Sequence, residues 1–257
     1  MKLKEILNRA IQFKSICLSL NNCNLTKIPD EIQFMETLGS LDLSNNNITT
    51  VPDFLTNLPR LKILNLSNNK IQSLPDFSPR TLMTKLDLSN NQFTEVPHAP
   101  ILFNSLRALN LSGNFLTRLP NFFANLKKIY YLNLSYNQFQ SMPDQLQYLF
   151  QLITLNMNNN KIKFIPDWID SLYNLDYLNL KNNQIQSLPE TTAHKIAKLL
   201  EYTYINSIEL QNNLIMNLPH NLLKSKYINK RLYIGNNLIP QNEFNNKKKI
   251  PGFIKFI

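Results

Sequence analysis

Residues 61–75 read LKILNLSNNKIQSLP, and residues 38–52 read LGSLDLSNNNITTVP. The two stretches align without a gap. Both carry apolar residues at places one, four, six, eleven and fourteen, Asn at nine and Pro at fifteen. Working outward, Pro29, Pro52, Pro75, Pro97, Pro120, Pro143, Pro166, Pro189 and Pro219 each close such a frame, with spacings of 23, 23, 22, 23, 23, 23, 23 and 30. A truncated tenth copy follows at Leu232, Ile234, Asn237 and Ile239. A fixed period of this length marks a chain of stacked units, none of which can bury its apolar side alone.

The chemistry of each place follows from the frame. Alternation through places four to six is the period of a short strand, so pairs such as Leu64 and Leu66 or Leu109 and Leu111 point into a shared core. Stacked copies make a parallel sheet with strands about 4.8 Å apart. Asn46, Asn69, Asn91, Asn114, Asn137, Asn160, Asn183, Asn213 and Asn237 fill the ninth place. There the chain turns inside the structure and its backbone groups need partners. An amide supplies donors and an acceptor, so a column of them is expected to bridge adjacent turns. Cys23 takes that place in the first copy, and both Cys17 and Cys23 read as structural. Proline at place fifteen ends any α conformation before it. The Asp that follows in five copies is expected to cap a helical turn. Asn is abundant and Gly scarce, so the turns are expected to need few residues at positive φ.

These residues resemble the leucine-rich-repeat family, with a frame running L-x-x-L-x-L-x-x-N-x-L-x-x-L-P. The resemblance implies an α/β solenoid, a curved horseshoe with short parallel strands on its concave face and helical or extended turns on its convex face. The LPDxL units are similar to those of Ras-group leucine-rich-repeat proteins and of effectors that intracellular bacteria place in host cells. The resemblance specifies a scaffold more sharply than a function.

The chain is expected to divide into an N-terminal helical cap at 1–14, a solenoid of about ten repeats at 15–242 and a basic cap or tail at 243–257. Leu3, Ile6, Leu7, Ala10 and Ile11 keep helical spacing, suited to covering the open first coil. The longest unit carries ETTAHKIAKLLEYTY, in which Ala193, Ile196, Ala197 and Leu200 are spaced for an α-helix, with His194 facing solvent. Phe253, Ile254, Phe256 and Ile257 would close the far end.

The formal net charge is +10, of which +7 lies from residue 210 onward, so the body is nearly neutral. That distribution argues against a nucleic-acid groove along the molecule. No cofactor is expected, and no glycine-rich phosphate loop, metal-ligand cluster or Cys–His arrangement is present to support catalysis. The serines at place seven lack a nearby His and are not nucleophiles.

Since the inward residues build the scaffold, partner information is expected in the outward places of each strand. Tyr131 and Tyr177 stand in the third column, Asn133, Asn156 and Asn179 in the fifth, and Tyr136 and Lys181 nearby, with Lys85 in the third column further back. These eight residues are the expected protein-binding site, since tyrosine is a frequent interface anchor. The expected molecule is a monomeric interaction scaffold without enzymatic activity, in the cytoplasm or delivered by a non-classical route into a host cytosol. The alternatives are an adaptor held to a membrane or acidic surface by KKKIPGFIKFI, or an enzyme whose site is unrecognised. Abundant Asn, Lys and Ile beside scarce Gly, Arg and Trp points to an AT-rich genome, which favours the bacterial effector.

Overall fold

The computed structural model describes residues 3–76, 83–98, 105–203, 205–219, 222, 231–240 and 254–255. Two compact units divide at residue 116. The first holds helix α1 (Leu3–Gln12) and strands β1 (Cys17–Ser19), β2 (Ser40–Asp42), β3 (Ile63–Asn65), β4 (Lys85–Asp87) and β5 (Ala108–Asn110). The second holds β6 (Tyr131–Asn133), β7 (Thr154–Asn156), β8 (Tyr177–Asn179), helix α2 (Glu190–Tyr202), β9 (Ser207–Glu209), β10 (Arg231–Tyr233) and β11 (Ile254–Lys255). Within each unit the strands pair in parallel and in sequence order, with equivalent places in register: Leu41 opposite Leu64, Leu155 opposite Leu178. This is the leucine-rich-repeat solenoid that the period dictates.

The core is built from the frame. Places four and six, such as Leu64 and Leu66 or Leu155 and Met157, are fully covered, as is place eleven at Ile71, Phe139 and Ile162. The ninth-place amides do the bridging that their chemistry requires. Asn46 accepts the Cys23 and Leu25 N–H groups at 3.0 and 2.9 Å and donates to the Leu20 carbonyl of the preceding coil at 2.9 Å. Asn69, Asn91, Asn160 and Asn183 repeat this arrangement on the Ile48, Ile71, Phe139 and Ile162 N–H groups. Each amide thus satisfies the coil before it as well as its own. The first coil follows helix α1, with Cys23 at its ninth place, and both cysteines are free and exposed.

Two expectations are corrected by the geometry. The residues after proline form one turn of 3-10 helix in five coils: Asp30–Phe34, Asp53–Asn57, Asn121–Asn125, Asp144–Tyr148 and Asp167–Ser171. None has a side-chain cap. The proline itself stands at the cap position, its carbonyl accepting the first N–H of the turn, as Pro143 does from Leu146 at 3.0 Å. The aspartates at the start of two of these turns reach sideways instead. Asp144 accepts Trp168 Nε1 at 2.9 Å and Asp167 accepts Thr192 Oγ1 at 2.8 Å, each from the following coil.

The second correction concerns positive φ. Every coil needs such a residue at place eight: Asn22, Asn45, Asn68, Asn90, Gly113, Tyr136, Asn159, Asn182, Asn212 and Asn236, with φ between +52° and +65°. Asn takes the part usually given to Gly, because it tolerates the left-handed region better than other side chains. These asparagines also form a second, more superficial ladder. Asn90 Nδ2 donates to Asn68 Oδ1 at 2.9 Å and Asn182 Nδ2 to Asn159 Oδ1 at 3.0 Å. At Gly113 the Asn90 amide folds over the bare Cα, its Oδ1 lying 2.0 Å from where a Cβ would stand, and it would have to swing aside for any other residue.

At the N-terminus, Leu7 and Ala10 bury the inner stripe of α1. In the longest unit α2 replaces the 3-10 turn, burying Ala193, Ile196, Leu199 and Leu200, while His194 is exposed. Sequence repeats account for ten strands; the eleventh, β11, continues the second unit's sheet beside β10, with Ile254 buried. Lys247, Lys248, Lys249, Phe253, Phe256, Ile257 and His220 lie outside the described residues, and so do most of the basic tail and the test of its anchoring role.

The solenoid is laced laterally by charge in one place among the described residues. Asp170 accepts Lys195 and Lys198 of α2 at 3.0 and 3.2 Å. Burial pushes its pKa up, but the hydrogen bonds and positive charges of the two lysines outweigh that and leave it below the ordinary carboxylate value. A depressed pKa adds stability that is complete above the unfolded carboxylate range and lost as pH falls through the lowered value. Asp170→Asn is therefore expected to lower the denaturation midpoint at pH 7, by an amount worth no more than about 1 kcal/mol because the lysines are exposed. Midpoints of the two proteins should converge on acidification below the Asp170 pKa, and a gap that persists there would place the effect elsewhere.

Candidate functional site

The outward side of the second unit's sheet carries seven of the eight expected site residues; Lys85 stands exposed on β4 of the first unit. Register sets Tyr131, Thr154 and Tyr177 in one row across β6, β7 and β8, and Asn133, Asn156 and Asn179 in the next. The two tyrosines are therefore two strands apart, with Thr154 between them.

The fifth-column amides are less available than their outward place implies. Asn133, Asn156 and Asn179 each turn Oδ1 back to the N–H two residues on, at 3.1, 3.1 and 3.0 Å. The same bond recurs at Asp42, Asn65, Asp87 and Asn110, so this column is selected first for closing the strand. The place-seven serines are partners in that turn, with Ser135 Oγ donating to Asn133 Oδ1 at 2.7 Å. Asn179 is 9% exposed and donates its Nδ2 to the Tyr177 hydroxyl at 3.0 Å. Of these three amides, Asn133 and Asn156 keep their Nδ2 groups without a partner among the described residues. Burial and the nearby Glu209 carboxylate raise the Tyr177 pKa, opposed by the Asn179 hydrogen bond, so Tyr177 is a neutral phenol at physiological pH.

Tyr136 differs from every equivalent residue. It takes φ +53° where eight other coils have Asn and one has Gly, and its ring is 61% exposed. Its N–H is held by the Asn158 carbonyl of the next coil at 2.9 Å, so the backbone cannot relax to a conformation better suited to an aromatic. The amide ladder stops at it: Asn159 Nδ2, lacking an amide on the preceding coil, turns to Asn158 Oδ1 at 2.8 Å.

A further group was not reached by reading the strands. Lys127, Phe150 and Tyr173 occupy one place in three successive coils, on the loops that lead into the strands. Their signal was that they recur with the period of the prolines, in a segment outside the repeat frame. Among the described residues no group of three His, Cys, Asp or Glu could hold a metal ion, and no helix is long and apolar enough to cross a membrane.

Comparison with known proteins gives the same architecture. A model described as leucine rich repeat matches residues 17–71, 36–93 and 81–139, and a two-copy leucine-rich-repeat model matches 151–191. Internalin C2 of Listeria monocytogenes superposes with a TM-score of 0.60 at 29% identity, over 70% of this chain and 84% of that one. A leucine-rich-repeat protein of Leptospira interrogans gives 0.53 at 23% identity, over 98% and 86%. The functional domain of the Listeria internalin InlJ gives 0.63 at 19%, over 87% of this chain and 49% of that chain. No curated protein sequence matches significantly. The repeat frame, the bridging amides and these matches together establish that the chain belongs to the leucine-rich-repeat family, whose fold generally serves as a non-enzymatic protein-binding scaffold.

Proposed function

We propose that the protein binds a partner protein through the outward face of the second unit's sheet, around Tyr131, Tyr136, Tyr177 and Lys181, with Asn133 and Asn156 offering free amide donors. Asn179 supports Tyr177 from beneath, and Lys85 is a separate contact on the first unit. Tyr136 carries this reading. A backbone place that every other coil gives to Asn or Gly here holds an exposed aromatic, at a cost to the fold that packing does not offset, and such departures gather at functional positions. An exposed Tyr136 and half-buried Tyr131 and Tyr177 on the same face as Lys181, an ammonium with no carboxylate partner among the described residues, are the usual material of interface anchors.

The partner is proposed to be a host protein and the chain a bacterial effector. The AT-rich composition and the kinship with internalin C2 support this; a secretion reporter retained in the producing cell would overturn it.

The binding reading is tested by affinity capture with the wild-type chain and with Tyr131→Ala/Tyr177→Ala/Lys181→Ala. Proteins held by the wild type are expected to be lost by the variant. Identical recovery would remove the sheet face from the interface.

A further inference from the structure

Lys127, Phe150 and Tyr173 form a continuous ladder along the edge where loops enter the strands of the second unit. Lys127 Nζ lies 5.4 Å from the Phe150 ring and 5.5 Å from the Tyr148 ring, and donates to the Tyr148 carbonyl at 3.2 Å. On its other side the Phe150 ring stacks on Tyr173, with centroids 6.1 Å apart and planes 13° from parallel. Asn174 Nδ2 fixes the backbone beneath by donating to the Phe150 carbonyl at 2.7 Å. Five of the fifteen exposed large apolar side chains among the described residues fall on this edge: Tyr130, Tyr148, Phe150, Ile153 and Tyr173.

Two cations stand together at the start of the edge. Lys127 and Lys128 are exposed, and neither has a carboxylate within ion-pair distance among the described residues. The nearest acidic residues in sequence on these coils, Asp144 and Asp176, keep their charge beside the neutral Trp168 indole and Asn206 amide, but neither pairs with Lys127 or Lys128. One of the three Lys127 donors is spent on Tyr148, and the ring faces hold the ammonium in place. An ordered cation with donors left over, beside a stack of half-exposed rings, fits a ligand with a carboxylate next to an apolar group.

We propose that this edge is a second docking surface, for an acidic segment of a partner protein in which Asp or Glu stands beside an aromatic or large aliphatic residue. The carboxylate pairs with Lys127, and the neighbouring side chain lies against Phe150, Tyr173 and Ile153. This deepens the protein-binding reading, on which it rests, and extends the contact beyond the sheet face.

The test is selection of a random dodecapeptide display library on the full-length wild-type chain, followed by titration of the enriched peptides. Lys127→Met/Tyr173→Ser alters exposed side chains, and circular dichroism checks that it remains folded. Enriched peptides are expected to place Asp or Glu within two residues of Phe, Trp or Leu. They should bind the double variant at least about fivefold more weakly, weaken at high salt, and bind Tyr136→Asn as tightly as wild type. Enrichment without acidic residues, equal binding to the double variant, or no enrichment overturns the edge proposal. Peptides that lose affinity for Tyr136→Asn alone would overturn the edge and leave the sheet-face reading standing.

Discussion

Asn160→Ala is expected to destabilise the second unit by about 2–3 kcal/mol, through one orphaned buried donor at roughly 1–3 kcal/mol and the loss of two further hydrogen bonds. The Asn160 amide accepts the Phe139 N–H at 3.0 Å and donates to the Leu134 and Met157 carbonyls at 3.0 and 3.1 Å. Removing it strands the N–H of fully covered Phe139, while the Leu134 and Met157 carbonyls each keep one donor, Asn137 Nδ2 at 3.2 Å and Asn183 Nδ2 at 3.0 Å. Asn160→Asp should be no milder, since it keeps the acceptor, loses both donors and buries a charge. Asn159→Ala, one residue away in the superficial ladder, is the control. It forfeits the hydrogen bond to Asn158, the one from Asn182 and a favourable φ, for a loss on the order of 1 kcal/mol. Urea denaturation of the three variants separates the two ladders. A loss below about 1 kcal/mol for Asn160→Ala would show that the bridging amides are dispensable.

The difference between those two asparagines marks what the sequence made legible. Places four, six, nine and eleven could be read because each answers one local requirement, burial or backbone pairing, and repeats it once per coil. The Asn-Asn doublets at 45–46, 68–69 and 90–91 concealed a second requirement, for positive φ, because the scarcity of Gly pointed away from it. Aspartate after proline looked like a cap. The proline carbonyl begins the turn unaided, which frees Asp144 and Asp167 for lateral bonds whose partners are 24 and 25 residues distant. The fifth column looked like recognition surface because it is polar and outward, yet Asn133 and Asn156 spend their oxygens on their own turns. A pattern of outward polarity does not distinguish a side chain waiting for a partner from one folded back on its backbone. The Lys127, Phe150 and Tyr173 column lay outside the motif, and its residues share no chemistry that a repeat search would align. β11 carries no frame at all; only pairing with β10 identifies it.

Tyr136→Asn is expected to move stability and binding in opposite directions. Asparagine in this left-handed conformation relieves a backbone cost of about 1 kcal/mol for an ordinary side chain. It also offers Asn159 Nδ2 the acceptor that Asn159 itself provides to Asn182 and Asn68 provides to Asn90. The ring gives up little in exchange, being 61% exposed. The variant should therefore unfold at higher denaturant concentration than wild type, by the equivalent of roughly 0.5–1 kcal/mol. If Tyr136 is an anchor, affinity for a partner captured by the wild type should fall by about 30-fold, since truncating a central tyrosine typically costs about 2 kcal/mol or more. Denaturation curves and titration calorimetry on one preparation give both numbers. A more stable variant that binds as wild type would mean that the aromatic is an unselected departure from the column, and the site would have to be sought away from it. A less stable variant would mean that the ring packs better than its exposure implies, and the argument from backbone cost would fail even if binding were lost.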